Sequence, residues 1–395
     1  MNAKTVCVVH CVEPFLNVSE NWIYPQVMRV PGVLGSVLCS STANLDAFPL
    51  DENRIILISE GRSKQGLLAR LIFSLRSRLG MNRRKAERRV KSLKPDLLHA
   101  HFGMQAWEQL GMAARLGIPL VTSFYGFDAW RLPTEEPIWC GRYARLFRQG
   151  RCFLVEGPAM KERLVTLGCP PEKIIVHRLG ADLSRLPYSE RSFSKPLRVV
   201  MVGRFVEKKG LVDGVRACVM AMAAGMDIHL TIIGDASPDD PKGQEIKAEI
   251  QRLVADPACA GRIHLAGFCS LIETREIMAR QDIMLSPSRH AESGDAEGGS
   301  PVVLTEAMAQ GLLCIGTAHC DIPTVIKDQV TGYLCPEGDV PALTSALLQL
   351  GASVTRLQEI TRSGRQHIEV CFNLESQMTA QAEIYRALIA DKVGC

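Results

Sequence analysis

Arg204 and Lys209 stand in one short loop, Gly203–Gly210, that reads GRFVEKKG and links the apolar run LRVVMV to a helical pattern opening near Leu211. Glycines let such a loop turn sharply, and a helix start offers unpaired N–H donors to phosphate. Arg204 can grip phosphate oxygens through two parallel N–H groups, while Lys209 adds a mobile point charge. The loop is neither GxxxxGK followed by Ser or Thr nor GxGxxG, so it is not a standard nucleotide fingerprint. Taken alone, it reads equally well as a solvated basic loop.

A second loop, Pro287–Pro301, reads PSRHAESGDAEGGSP. Ser300 suits an N-cap and Pro301 the first residue of a helix that Gly311 closes. Gly298 and Gly299 let the backbone aim N–H groups at an anion, with Glu292, Asp295 and Glu297 close by. Glu306 follows in the apolar stretch VVLTEAMAQ, where a carboxylate is costly unless it is paired. It can accept two ribose hydroxyls; the other reading is an exposed helix-face residue.

In the first half, His99-Ala100-His101-Phe102-Gly103 and Ser123–Asp128 each follow a predicted strand. Alternation sets His99 and His101 on one side, and the two loops should open on the same rim. No third ligand accompanies this pair, so it reads as two satisfied strand-end histidines rather than a metal site. Cys7-x2-His10-Cys11 and His319-Cys320 also lack a full zinc set and read as strand and loop packing.

The elements that must hold these loops alternate strand and helix, the pattern of parallel α/β sheets. Strands are predicted at 5–9, 54–59, 96–100, 119–124 and 151–155, then at 197–202, 228–233, 263–266, 283–286 and 313–316. Helices are predicted at 66–79, 82–93, 105–116, 138–149 and 158–168 in the first half. The second half has them at 211–224, 242–254, 271–280 and 302–310, with three more at 340–350, 355–370 and 375–391. The division that follows is an N-terminal Rossmann-like domain over 1–180, a polar linker over 181–196, a second such domain over 197–372 and a C-terminal helix over 373–395. In such sheets ligands bind beyond the carboxyl ends of the strands.

The chain has 395 residues, 47% of them apolar and 22% charged. That composition excludes a disordered or collagen-like chain. No run is long enough for a membrane-spanning helix, and no signal-peptide pattern opens the sequence. The 14 cysteines lie singly and without CxxC. They are read as reduced thiols of a cytoplasmic protein. The net charge of +4 is uneven: residues 62–94 hold twelve Lys or Arg and one acid, Glu87. Leu67, Leu68, Leu71, Ile72, Leu75 and Leu79 recur there at helical spacing. Such a stretch points to an anionic surface, and Arg83, Arg84, Arg88 and Arg89 would face it.

In order, GRFVEKKG, IIGD, HLAGF, SPSR…EGGSPVVLTEAMAQGL and TGYLCPEGD resemble the nucleotide-sugar half of glycosyltransferase family 4. NVSENWI (Asn17–Ile23), HAHFG and TSFYGFD resemble its exopolysaccharide and colanic-acid branch. The resemblance implies a GT-B fold, two Rossmann-like domains facing each other across a cleft, with C-terminal helices packing back toward the first. It implies retaining transfer of a sugar from a UDP- or GDP-sugar, with no cofactor and no essential metal, to a lipid-linked saccharide acceptor in surface polysaccharide biosynthesis. Such an enzyme would be cytoplasmic and peripheral on the inner membrane face, with no nucleic-acid partner. Arg204 and Lys209 match the diphosphate-binding pair and Glu306 the ribose-holding glutamate. Gly203 and the Gly298, Gly299 and Ser300 backbone match the donor loops, and Phe268 the base contact. Ser19, Glu20, Tyr125 and Asp128 fall where acceptor or sugar contacts are expected. Eight residues separate Glu297 from Glu306 where the family has seven, so Glu297, Asp295 and Glu292 all remain candidates for the sugar-facing carboxylate. Tyr125 stands where the family often has a histidine, a role His101 could share. An epimerase of the same fold and a non-catalytic nucleotide-sugar binding module are the alternatives.

Overall fold

The computed structural model describes residues 5–58, 81–257, 259, 261–350 and 353–390. The helix expected at 66–79, with its leucine stripe, lies outside the described residues. Two parallel sheets organise the chain. The first has the order β3-β2-β1-β4-β5-β6-β7. Its strands are β1 (Val6–Cys11), β2 (Val33–Cys39), β3 (Ile55–Leu57), β4 (Leu97–His101), β5 (Leu120–Ser123), β6 (Cys152–Val155) and β7 (Ile174–Val176). The second has the order β10-β9-β8-β11-β12-β13. It comprises β8 (Leu197–Val202), β9 (Ile228–Ile233), β10 (Ile263–Gly267), β11 (Ile283–Ser286), β12 (Leu313–Thr317) and β13 (Tyr333–Cys335). This is the doubly wound, two-sheet architecture that the alternating pattern predicts.

Both faces of the first sheet are covered, which is why its central strands are apolar on both sides. On one face lie α2 (Met81–Ser92), α3 (Gly103–Leu116) and α5 (Ile138–Gln149), whose Ala86, Val90, Ala106, Leu110, Tyr143 and Phe147 pack with Val9, Leu98 and Phe153. The short α4 (Arg131–Glu135) precedes α5, and α6 (Pro158–Thr166) follows β6. Near the other face lies α1 (Ile23–Met28). The same face carries α14 (Leu374–Ala390), whose Leu374, Met378, Ala382 and Tyr385 pack on Val6, Val8, Leu97, Val121 and Leu154. The last helix thus returns to the first sheet, as expected. Its crossing is fixed beside the outward one: Ala181 N–H donates to Phe372 O at 2.7 Å, and Leu374 N–H to Ala181 O at 3.1 Å.

The second sheet is flanked by α7 (Leu211–Ala223), α8 (Pro241–Val254), α9 (Leu271–Ala279), α10 (Val302–Ala309), α11 (Ile322–Val325), α12 (Val340–Gln349) and α13 (Val354–Cys371). Sequence periodicity missed β2, β7 and β13. The last two span three residues each, too few for a period. β2 is interrupted by Gly35, on which a side chain would strike the Val27 carbonyl. All cysteines among the described residues are free thiols, and no described helix is long and apolar enough to cross a membrane.

Candidate functional site

Two loops at the carboxyl edge of the second sheet are laced together. β8 runs into a 3-10 turn at Glu207–Lys209, and α7 starts after Gly210. Gly210 has φ of +61°, and a Cβ there would collide with the Pro287 carbonyl, so only glycine lets the two loops meet. Buried Lys208 donates to Asp295 Oδ1 at 3.1 Å and to Ala296 O at 3.0 Å. Arg289 N–H donates back to Lys208 O at 2.9 Å.

This lacing presents Lys209 to Glu297. Lys209 Nζ lies 2.9 Å from Glu297 Oε1, and Ser288 Oγ donates to the same oxygen at 2.9 Å. Burial alone would push the Glu297 carboxyl up, but Lys209, Lys208 and the hydrogen bonds from Lys209 and Ser288 outweigh it and hold the group below its ordinary value. Asp295 is taken by Lys208, and Glu292 is exposed. Of the three carboxylates left open by the longer loop, Asp295 and Glu297 are each fixed beside a lysine, and Glu297 is the one set against Lys209.

Arg204 is exposed, and its side chain carries no hydrogen bond or ion pair among the described residues. It stands near Glu20 of the first half. Burial raises the Glu20 carboxyl, while the Asn17 hydrogen bond at 3.3 Å and the Arg204 charge pull it back. Ser19, in the same turn, is exposed.

The backbone of Glu297 is held from behind. Its N–H donates to His319 Nε2 at 3.1 Å, and His319 Nδ1 lies 2.8 Å from Glu337 Oε1. An accepting Nε2 places the ring proton on Nδ1, where Glu337 receives it. Burial lowers the His319 pKa, with Glu337 opposing, so the ring is neutral at pH 7. Glu337 also accepts from His290 Nδ1 at 2.9 Å, and the His290 ring meets Trp130 of the first half at 5.4 Å. The sequence reading assigned His319 to loop packing. Its role arises from tertiary contacts that no spacing announces.

The Gly298–Ser300 segment departs from expectation. Gly298 and Gly299 are buried against the first half, Gly298 on Gly126 and Gly299 on the Glu156 carboxylate. Ser300 does not cap α10: the helix opens at Val302, Pro301 occupies the cap position with ψ of 125°, and Ser300 Oγ is buried without a partner. The extended Pro301 delays the first turn by one residue and turns Ser300 away, toward Glu156 and Asp321. Those two carboxyls were not anticipated. Burial raises both, Glu156 well above its ordinary value and Asp321 to about 6. Asp321 Oδ1 accepts from Ala159 N–H at 2.8 Å, where α6 begins.

Glu306 is 8% exposed and receives Arg275 Nη2 at 2.5 Å. It is a paired, inward carboxylate and not an exposed helix-face residue. Gly203 backs onto the Lys209 stem, and Phe268, just past β10, is 65% exposed at the rim.

In the first half the HAH and SFYGFD loops do share a rim, joined by Phe102 N–H donating to Ser123 O at 2.8 Å. The histidine pair has a third member after all: β1 supplies His10, whose Nδ1 lies 3.0 Å from His101 Nε2. His101 Nδ1 meets Tyr125 Oη at 2.8 Å, and Gln26 Nε2 donates to that oxygen at 3.2 Å. His99 bridges Tyr385 Oη at 2.6 Å and Ser123 Oγ at 2.8 Å. Burial pushes His10 down to about 3 and His99 and His101 well below the usual range. His10, His99 and His101 place ring nitrogens within 4.8 Å of one another, and so do His290, His319 and Cys320 with their ligand atoms. In the first group every ring nitrogen but His10 Nε2 already has a hydrogen-bond partner. His101 is fully buried and Tyr125 turns its hydroxyl inward, so neither presents its polar atom to the cleft. Asp128 is also fully buried: its oxygens accept from Gly103 N–H at 2.8 Å and Tyr125 N–H at 3.1 Å. It fastens two loops, with each carboxylate oxygen already accepting a backbone N–H.

The basic helix α2 exposes Arg83, Arg84, Arg88 and Arg89. Arg83 pairs with Glu108 at 3.0 Å, and Glu87 with Arg115 at 2.7 Å.

With this geometry in hand, comparison with known proteins is informative. Residues 196–353 match the family described as Glycosyl transferases group 1, and residues 46–185 the one described as Glycosyltransferase Family 4. The amylovoran biosynthesis glycosyltransferase AmsK of Erwinia amylovora is 34% identical over 269 residues, 68% of this chain and 64% of that protein. WcaL of Escherichia coli K12, named as a colanic acid biosynthesis glycosyltransferase, is 30% identical over 300 residues, 74% of this chain and 71% of that protein. Among solved structures, a glycosyltransferase from Rickettsia africae superposes with a TM-score of 0.76, 16% identity and coverage of 98% of this chain and 99% of that one. Anabaena HepE in complex with UDP and glucose gives 0.74, also at 16% identity, covering 97% and 100%. At that identity the likeness concerns the fold.

Proposed function

The chain belongs to glycosyltransferase family 4, and from that premise we propose that it is a retaining glycosyltransferase of exopolysaccharide biosynthesis. Its donor would be a UDP- or GDP-sugar and its acceptor a lipid-linked saccharide. The observation that carries this reading is the ion pair of Lys209 with buried Glu297, set beside unpartnered Arg204 at the interdomain cleft.

The chemistry follows from those groups. The bond from the anomeric carbon to the diphosphate oxygen breaks, and the acceptor oxygen forms the new bond on the same face. The acceptor proton passes to the leaving diphosphate. Negative charge grows on that diphosphate, and fixed cations there lower the barrier because they need no reorganisation. Arg204 and Lys209 supply that charge without calling on a metal. Glu297 stays ionised, holds the Lys209 ammonium in place, and faces the donor sugar. Glu306 receives the ribose, with Arg275 as its pivot. The UDP named with Anabaena HepE supports a nucleotide-sugar ligand for this fold.

The exposed cations of α2 support a peripheral position on an anionic membrane surface, each worth about 1 kcal/mol near such a bilayer. Sedimentation with anionic vesicles at low salt, reversed near 0.5 M salt as screening shortens to roughly 4 Å, tests that part. The activity itself is tested by mixing the chain with UDP- and GDP-sugars and following nucleoside diphosphate release, epimer formation and transfer together. Epimer formation without release would favour an epimerase, and binding without either would favour a non-catalytic module.

A further inference from the structure

A second recess, apart from the donor loops, lies on the first half. α2, α3 and α5 lie side by side over one face of the sheet. Between them lies a groove of about 430 Å³, lined by Arg83, Trp107, Glu108, Trp139, Arg142 and Arg145. That volume suits a small-molecule ligand.

The groove is built for an anion attached to an apolar surface. The Arg142 guanidinium lies 4.5 Å from the Trp139 ring centroid and 6.0 Å from that of Trp107, and Arg145 lies 5.8 Å from Trp107. The indole faces attract the guanidinium charge and leave N–H donors free for an anion. Neither arginine has a carboxylate partner among the described residues, whereas Arg83 is neutralised by Glu108 at 3.0 Å. Exposed arginines usually gain little from being ordered; here the indoles order them before any ligand arrives.

We propose that this groove binds the sugar–diphosphate junction of a diphosphate-linked saccharide, with Arg142 and Arg145 on the diphosphate and the Trp107 indole against the apolar face of the first sugar. This rests on the acceptor class given under the proposed function. The short α4 that precedes α5 lies near the donor loop: a Cβ on Gly294 would come within 3.6 Å of Thr134.

The test titrates the full chain, by tryptophan fluorescence, with octyl-diphosphate-linked glucose and with octyl glucoside. The diphosphate probe should saturate below about 1 mM, and the neutral glucoside should bind at least about tenfold more weakly. A variant carrying Arg142→Ala and Arg145→Ala, with its melting temperature checked against wild type, should lose about tenfold for the diphosphate probe alone. No saturation by wild type, equal affinity for both probes, or an unchanged double variant overturns the proposal. Turnover of a nucleotide sugar separates the two readings. A chain that turns over donor but ignores the diphosphate probe overturns the groove and not the function. A chain that binds the probe through these arginines but uses no nucleotide sugar overturns the function and not the groove.

Discussion

Gly126 sits directly on the main chain of Glu297: a Cβ on Gly126 would fall inside contact distance of the Glu297 carbonyl oxygen. The residue whose side chain meets Lys209 therefore also forms one of the points where the two halves touch. Gly126 has φ of +117°, outside the range that a side chain tolerates. Gly126→Ala should cost about 1–3 kcal/mol through backbone strain and should push the halves apart. Turnover should fall on the order of tenfold or more, since small displacements of reacting groups are costly. A melting curve and a scattering-derived radius check this; an unchanged radius with full activity would show that the contact does not matter.

Glu306→Gln should weaken nucleotide binding by about 1–3 kcal/mol, the cost of replacing a charge-assisted acceptor. The free nucleoside diphosphate should show the loss as clearly as the sugar donor, because both carry the ribose. Calorimetry on the two ligands checks it, and unchanged affinity would leave Glu306 as no more than the partner of Arg275.

His319 makes a prediction with a definite sign. Its folded pKa is depressed by burial, so the unfolded chain binds more protons over the window below about pH 6.5. Its contribution to stability is full above that pH and is lost as pH falls toward the folded value, when Nε2 gains a proton facing the Glu297 N–H. Asp128 and Asp321, both raised to about 6 by burial, act oppositely: their contribution is full below about pH 4 and fades as pH rises through 6. The difference between wild type and His319→Gln isolates the histidine. That stability difference should shift in favour of wild type between about pH 5 and 7. A difference independent of pH would mean that His319 does not titrate in this role.

The strand-helix order was legible because each buried strand is a short apolar run bounded by turn residues. Arg204, Lys209, Glu297 and Glu306 stood out as candidates because charge is rare beside such runs. The same logic did not foresee the burial of His101 and Asp128. Polar residues at a strand's carboxyl end read alike whether they face a ligand or fasten neighbouring loops, and here Gly103, Tyr125 and His10 take them inward. His319, Glu156 and Asp321 were illegible, because each depends on chain segments distant in sequence. Ser300 looked like a cap only because propensity cannot see where the extended Pro301 turns it.

The central claim is that Lys209 and Arg204 stabilise a nucleoside diphosphate as it leaves a sugar. The most direct measurement is nucleoside diphosphate release from a panel of UDP- and GDP-sugars by wild type, Lys209→Ala and Arg204→Ala, under conditions where chemistry limits the rate. Wild type should turn over at least one donor, and each variant should fall on the order of 100-fold with its melting temperature retained. Wild-type rates in either variant, or no turnover of any donor by the wild type, would contradict the account.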